Sequence, residues 1–254
     1  MITAATLCPW PPLLVRELTG ADPVLPELRD ACAAAVATLL AGGPDLVAIV
    51  APGPATTTWP GNGRLNIAAF GGRPANPQPD ICSPEPTGTQ PDICSSGSAG
   101  VAAGRPALPP AAGIGAYLLD RVGYPGRRVI WTVSEDETPA GCWKLGAELA
   151  ATGQRTALLV LGDGSARRGP KAPGAFDERA AGFDAEVERA VRAADLDALL
   201  AVDPVLARDL MATGRPAWQV LAGALAGTAP AAQVRYTGDP FGVRYLVASF
   251  RPAG

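Results

Sequence analysis

The sequence predicts an α/β protein: a three-layer α/β/α sandwich around a mixed, mostly parallel central sheet. Three observations carry this expectation. Short apolar runs alternate with helix-periodic segments; Leu46–Val50 and Thr156–Leu161 read as buried strands; and the chain closes on a hairpin-like pair that adds antiparallel strands.

Ile2–Leu7 is the first strand, leading into the turn Cys8-Pro9-Trp10-Pro11-Pro12. A helix follows over about Leu25–Ala41, because Leu25, Leu28, Cys32, Val36 and Leu39 recur at helical spacing and Gly42-Gly43-Pro44 stops it. The strand Leu46–Val50 completes a strand–helix–strand unit. From Ala51 to Pro110 the pattern gives way to Pro, Gly, Ser, Thr and Asn. Within it Gln78-Pro79-Asp80-Ile81-Cys82-Ser83 returns as Gln90-Pro91-Asp92-Ile93-Cys94-Ser95. The repeat reads either as a duplicated surface insertion or as a Cys-pair metal or disulfide clip, and residues 74–106 are expected to form a poorly ordered loop.

Alternation resumes with a helix over Pro110–Val122, a strand over Arg128–Val133, and a helix over Pro139–Ala151 with Thr138 as N-cap and Pro139 at its first position. The strand Thr156–Leu161 and the loop Gly162–Ala175 follow. A helix over about Glu178–Ala194 places Ala180, Phe183, Val187, Val191 and Ala194 on one face. Two more helices are expected near Asp195–Met211 and Arg215–Ala226, the second turning Trp218, Leu221, Ala222 and Leu225 inward. The closing pair is Gln233–Thr237 and Val243–Phe250, around Gly238-Asp239-Pro240-Phe241-Gly242.

The chain has 254 residues, 48% hydrophobic and 18% charged, enough for one sizeable core, and is read as a single domain. Its net charge of -3, with 21 basic residues spread along the chain, argues against nucleic acid as a partner. The longest apolar stretch, Ala31–Gly43, falls short of the about 20 residues that span a bilayer, and Pro9, Pro11 and Pro12 break the N-terminus, so a cytoplasmic protein with no membrane partner is expected. A homo-oligomer is compatible with this composition. The absence of histidine excludes His-based serine triads, His-ligated zinc and the two-His, one-carboxylate iron site. Five cysteines, an odd number, suit a reduced chain.

In an open α/β sheet, ligands bind outside the carboxyl ends of the strands. Three loops qualify here: Cys8–Pro12, Pro52–Thr58 and Gly162–Lys171. In the third, Gly162 and Gly164 free backbone N–H groups while Arg167, Arg168 and Lys171 add cations, a combination suited to a carboxylate or phosphate; solvated loop charges are the plainer alternative. No P-loop is present, since no Gly-Lys-Ser/Thr ending follows. Ser165 as a nucleophile would need Lys171 or a carboxylate as its base. Asp163 and Asp239 are the carboxylates expected to face the crevice, with Glu135, Asp136 and Glu137 on a neighbouring loop; they read as hard-cation ligands or as turn-forming residues. Trp10 presents a flat apolar face there or packs in the core.

A resemblance rests on several of these segments taken together. They are Cys8-Pro9-Trp10-Pro11-Pro12-Leu13-Leu14-Val15, Pro44-Asp45-Leu46-Val47-Ala48-Ile49-Val50, Gly162-Asp163-Gly164-Ser165, Lys171-Ala172-Pro173-Gly174 with Asp177-Glu178-Arg179-Ala180 and Phe183-Asp184, and Gly242-Val243-Arg244-Tyr245-Leu246-Val247-Ala248. The set resembles the actinobacterial branch of a family, the proteins similar to the B-type subunits of class III extradiol ring-cleavage dioxygenases. That resemblance implies the sandwich fold and, for catalytic members, non-haem Fe(II) held by two His and a Glu, with a further His for acid–base work while O₂ opens a catechol-type ring. Carried over, the first iron His falls at Trp10, the second near Gly53 or Pro54, and the acid–base His at Ala166. None is histidine here, and a site of Asp and Glu oxygens prefers Mg²⁺ or Ca²⁺ to Fe(II). The expectation is a divergent member with lost or altered activity and no resident cofactor. Its site leans on Asp163 and Ser165 for any catalysis, and on these two with Trp10, Pro54, Ala166, Arg167, Lys171 and Asp239 for binding. The alternative is a non-catalytic protein that binds a small anionic or aromatic molecule or a partner.

Overall fold

A computed structural model describes residues 1–20, 24–72 and 105–253. Its strands are β1 (Ile2–Cys8), β2 (Leu46–Gly53), β3 (Thr57–Trp59), β4 (Arg127–Ser134), β5 (Thr156–Leu161), β6 (Ala231–Gly238) and β7 (Tyr245–Arg251). They form one sheet in the order β3-β4-β2-β5-β1-β7-β6. The four strands β4, β2, β5 and β1 run parallel, and both margins are antiparallel, through β3 on β4 and through β7 and β6 beyond β1.

Helices α1 (Arg16–Thr19), α2 (Pro26–Leu40) and α3 (Pro110–Arg121) cover one face. The other carries α4 (Pro139–Ala150), α5 (Arg179–Ala193), α6 (Leu196–Leu200), α7 (Pro204–Asp209) and α8 (Arg215–Ala224). This is the three-layer sandwich expected from the sequence. The continuous apolar strands follow from it, because alternate residues point to opposite faces and each face has its own core. In β2, Ala48 and Val50 enter the core beneath α4 and α8, whereas Val47, Ile49 and Ala51 enter the one beneath α2 and α3. Strand β5 splits likewise, Leu158 and Val160 against Ala157, Leu159 and Leu161.

Local signals place several boundaries. Thr138 caps α4, its hydroxyl accepting from the Gly141 N–H at 3.0 Å, with Pro139 next in line. The stretch Asp195–Met211 corrects the expectation of one helix. It is two, because Pro204 cannot continue α6 and instead starts α7, with Asp203 accepting from the Val205 N–H at 2.8 Å. The region after Ala51 is also less empty than expected. It contributes β3, whose Trp59 indole donates to Thr132 at 2.9 Å, and a backbone pairing of Arg64 with Ala107 that buries Leu108.

Most of the expected 74–106 loop, including the duplicated segment with Cys82 and Cys94, lies outside the described residues. Its last two residues are described. The Arg105 guanidinium donates to the Asn62 carbonyl at 2.8 Å and pairs with Asp120 at 3.3 Å. Among the described residues, no helix is long and apolar enough to cross a membrane.

Candidate functional site

The carboxyl ends of β1 and β5 lie side by side, Cys8 in register with Leu161, and the Gly162 N–H donates to the Cys8 carbonyl at 2.9 Å. Gly53 and Ser134 end β2 and β4 in register at the same edge. The loops after Cys8, Gly53, Ser134 and Leu161 therefore converge there, where an open sheet of this kind binds ligands.

Asp163 occupies the centre. Its side chain is buried, Oδ1 accepting the Trp10 backbone N–H at 2.9 Å, and its carbonyl accepts the Gly214 N–H at 2.9 Å. Burial pushes this carboxyl up to about 7, only partly offset by the Trp10 hydrogen bond. The Trp10 indole is half-buried and donates through Nε1 to Thr213 Oγ1 at 3.1 Å, so one residue ties the β1 loop both to Asp163 and to the segment before α8. Two glycines let these segments meet. A Cβ on Gly162 would stand 2.5 Å from Gly214 Cα, and one on Gly214 would stand 2.3 Å from the Trp218 ring. That ring lies beneath the loop, its Nε1 buried with no hydrogen-bond partner among the described residues.

The loop after Asp163 turns away from this centre. Ser165 is fully buried and gives both its donors to Asp184 on α5: N–H to Oδ1 at 2.8 Å and hydroxyl to Oδ2 at 2.5 Å. Burial raises the Asp184 pKa against the lowering effect of those bonds and of Arg168. Arg168 lies 3.7 Å from Asp184 and pairs with Asp239 at 2.8 Å. Beside them Glu188 accepts from Arg192, Arg244 and Thr237. Burial works to raise its pKa, and these hydrogen bonds outweigh it and hold it below the ordinary value.

A second polar anchor fixes the β4–α4 loop. Arg215, 2% exposed, donates to the Glu137 carbonyl at 2.6 Å, to Gln219 Oε1 at 2.9 Å and to the Glu135 carbonyl. Gln219 Nε2 in turn holds the Leu200 and Val202 carbonyls at 2.8 and 3.0 Å. Burial lowers the Arg215 pKa.

The residues singled out from sequence thus separate into groups. Trp10 and Asp163 touch each other at the strand ends. Ser165 sits in the interior on Asp184, and Asp239 faces Arg168. Ala166 is buried, its N–H on the Leu210 carbonyl at 3.0 Å. Arg167 bends toward Gly174 and Ala175, donating to the Ala175 carbonyl at 3.3 Å, while Lys171 and Pro54 are exposed. The three loop cations do not converge on one point. Sequence reading did not single out Thr213, Arg215 or Gln219, nor give Asp184 a role at the site.

The Fe(II) that the resemblance implies finds no matching donors at the positions carried over from it. Trp10 offers an indole N–H that already donates to Thr213, Ala166 offers a methyl group, and Gly53 and Pro54 offer only backbone oxygens. Among the described residues, no three His, Cys, Asp or Glu side chains cluster as a metal site would require.

No protein-family model matches the chain, and no curated protein matches it. Among solved structures, the chain is similar to an uncharacterized protein, JW3007, from Escherichia coli K12: 13% identity and a TM-score of 0.48, covering 98% of this chain and 99% of that one.

Proposed function

We propose that this chain is a divergent protein of the class III extradiol dioxygenase type. In this reading its strand-end crevice binds a small aromatic molecule and does not perform iron-dependent ring opening. The observation that carries the reading is the Trp10–Asp163 pair: an indole and a buried carboxyl stand where the resemblance would put a metal imidazole and its surroundings. A flat ring stacks on the indole, and a phenolic hydroxyl or amine donates to the carboxyl. An anion is the poorer ligand, because Arg168 is already paired with two carboxylates and Arg167 turns aside. The homo-oligomer and the cytoplasmic location stay proposals alongside this one.

A second reading keeps catalysis in altered form. Asp163, with its pKa near neutrality, would move a proton to or from the bound aromatic, since a carboxyl poised near the working pH does so best.

Elemental analysis and oxygen-electrode assays with protocatechuate test the first reading. The expected result is substoichiometric iron, no catechol-dependent O₂ uptake, and saturable tryptophan quenching by the catechol that is lost in Trp10→Ala. One equivalent of iron with catechol-dependent O₂ uptake would overturn it. Asp163→Asn separates the two readings: under the first it changes binding alone, and under the second it abolishes the turnover that uses the carboxyl.

A further inference from the structure

A concave surface lies at the far end of α8, a helix length of about 15 Å from Gly214 and Asp163. It is a cavity of about 540 Å³ between the C-terminal end of α8, the corner joining α5 to α6, and the outer side of α4. That volume falls within the range of small-molecule sites, about 300–1,000 Å³. Leu196 and Leu200 of α6 and Ala222 and Ala226 supply apolar lining, and Trp143 stands at one side with its side chain exposed.

The approach of α4 to α8 fixes the indole. Gly223 sits against the Trp143 backbone so closely that a Cβ there would meet the Trp143 carbonyl at 2.2 Å. The backbone of Trp143 is thereby held on α8 while its ring borders the cavity.

The ionisable side chains of this cavity have one sign, and the positive end of the short helix α6, which also lines it, is capped by one of them. Among the described residues, the ionisable side chains that line it are Asp195 and Asp197. Asp195 caps α6, accepting from the Ala198 N–H at 2.9 Å, and its nearest cation is Arg189 at 3.9 Å, a largely exposed side chain at a separation where water screens the pair. Ala193 and Ala194 lie at the C-terminal end of α5, and Ala222 and Ala226 lie in and just beyond the last turn of α8, where helix dipoles present their negative poles. An exposed indole face adds the quadrupole that attracts cations.

We propose that this cavity is a binding site for an organic cation, an ammonium group carried on an apolar or aromatic body. The ammonium lies between the Trp143 face and Asp197, and the body rests on Leu196, Leu200, Ala222 and Ala226. A neutral molecule of the same shape loses the charge-dependent part of the attraction, and an anion is repelled.

The test is a titration of the intact protein with three probes that share an aromatic body: benzyltrimethylammonium, benzyl alcohol and phenylacetate. Binding is read by calorimetry and by the indole N–H signals in NMR spectra. The cation is expected to bind in preference to the other two, shifting the Trp143 indole signal, and to weaken as salt is added. Trp143→Leu, which keeps an apolar side chain at an exposed position, and Asp197→Asn are each expected to weaken it about three- to fivefold with the fold intact by circular dichroism. Equal affinity for the three probes, a cation affinity unchanged in both variants, or no saturable binding of the cation would overturn the proposal. None of these outcomes involves Trp10 or Asp163, so failure here leaves the strand-end reading untouched.

Discussion

Both donors of Ser165 end on the two carboxylate oxygens of Asp184, at 2.8 and 2.5 Å, in the buried space between the β5 loop and α5. A serine held this way works as a strut: its hydroxyl proton points into a carboxylate and its oxygen is out of reach of solvent. We expect Ser165→Ala to lower stability by about 2 kcal/mol and Asp184→Ala by about 3 kcal/mol, since the latter leaves two buried donors unpaired. The double variant should lose little more than Asp184→Ala alone, because the two residues share one interaction. Urea unfolding of the three variants measures this, and strict additivity would show the pair to be uncoupled. Serine-directed phosphonates should leave Ser165 unmodified.

The raised pKa of Asp163 makes stability depend on pH in a defined direction. A carboxyl that titrates near 7 when folded and near 3.8 when unfolded binds its proton more tightly in the folded state. Its contribution is therefore fully present below about pH 4 and is lost as pH rises through about 7, with a ceiling of about 4 kcal/mol. Asp163→Asn keeps an oxygen for the Trp10 N–H and removes the ionisation. Thermal melts from pH 4 to pH 8 should show wild type losing stability relative to this variant as pH rises. Parallel curves would mean that Asp163 titrates normally.

Arg215 is a cation whose described partners are carbonyl groups. Replacing it with Met leaves the Glu135 and Glu137 carbonyls and Gln219 without their donor, and we expect a loss of about 3 kcal/mol. Lysine should rescue only part of this, because one ammonium cannot reproduce the planar fork that reaches all three acceptors. Denaturant midpoints of Arg215→Met and Arg215→Lys decide the matter, and full rescue by lysine would reduce the role to charge alone.

Glycine substitutions should separate by the space around them. A Cβ on Gly146 would meet the Val220 carbonyl at 2.2 Å, so Gly146→Ala forces α4 away from α8 and should cost about 1–3 kcal/mol. Gly182 lies inside α5 with open space around it, and Gly182→Ala should stabilise by about 0.5–1 kcal/mol through helix propensity. Melting temperatures that move in the same direction for both would contradict this.

The parts of the fold legible in the sequence are those specified by neighbours along the chain. Thr138-Pro139 announces the start of α4, and the apolar runs of β1, β2 and β5 announce strands buried on both faces. Strand β3 is three residues long and exists by pairing with β4, a contact with no local signature. The break between α6 and α7 is signalled by Asp203-Pro204 and masked by the apolar spacing around it. At the site, Asp163 follows from the strand-end rule. Asp184 falls at a core-facing position of α5, and only the distant Ser165 and Arg168 make a carboxylate tolerable there. The cluster Arg167, Arg168 and Lys171 is close in sequence and divergent in space: Arg167 turns to the Ala175 carbonyl, Arg168 to Asp239, and Lys171 is exposed.

The position of β1 in the sheet bears on how the protein is made. Ala5 pairs with Leu158 on one side and with Phe250 on the other, so β1 has both of its neighbours encoded far downstream. Until β5 emerges, Ile2–Cys8 is an apolar segment with two open edges, and until β7 emerges it keeps one. During synthesis these edges can therefore pair with a foreign strand until β5 and β7 have been translated.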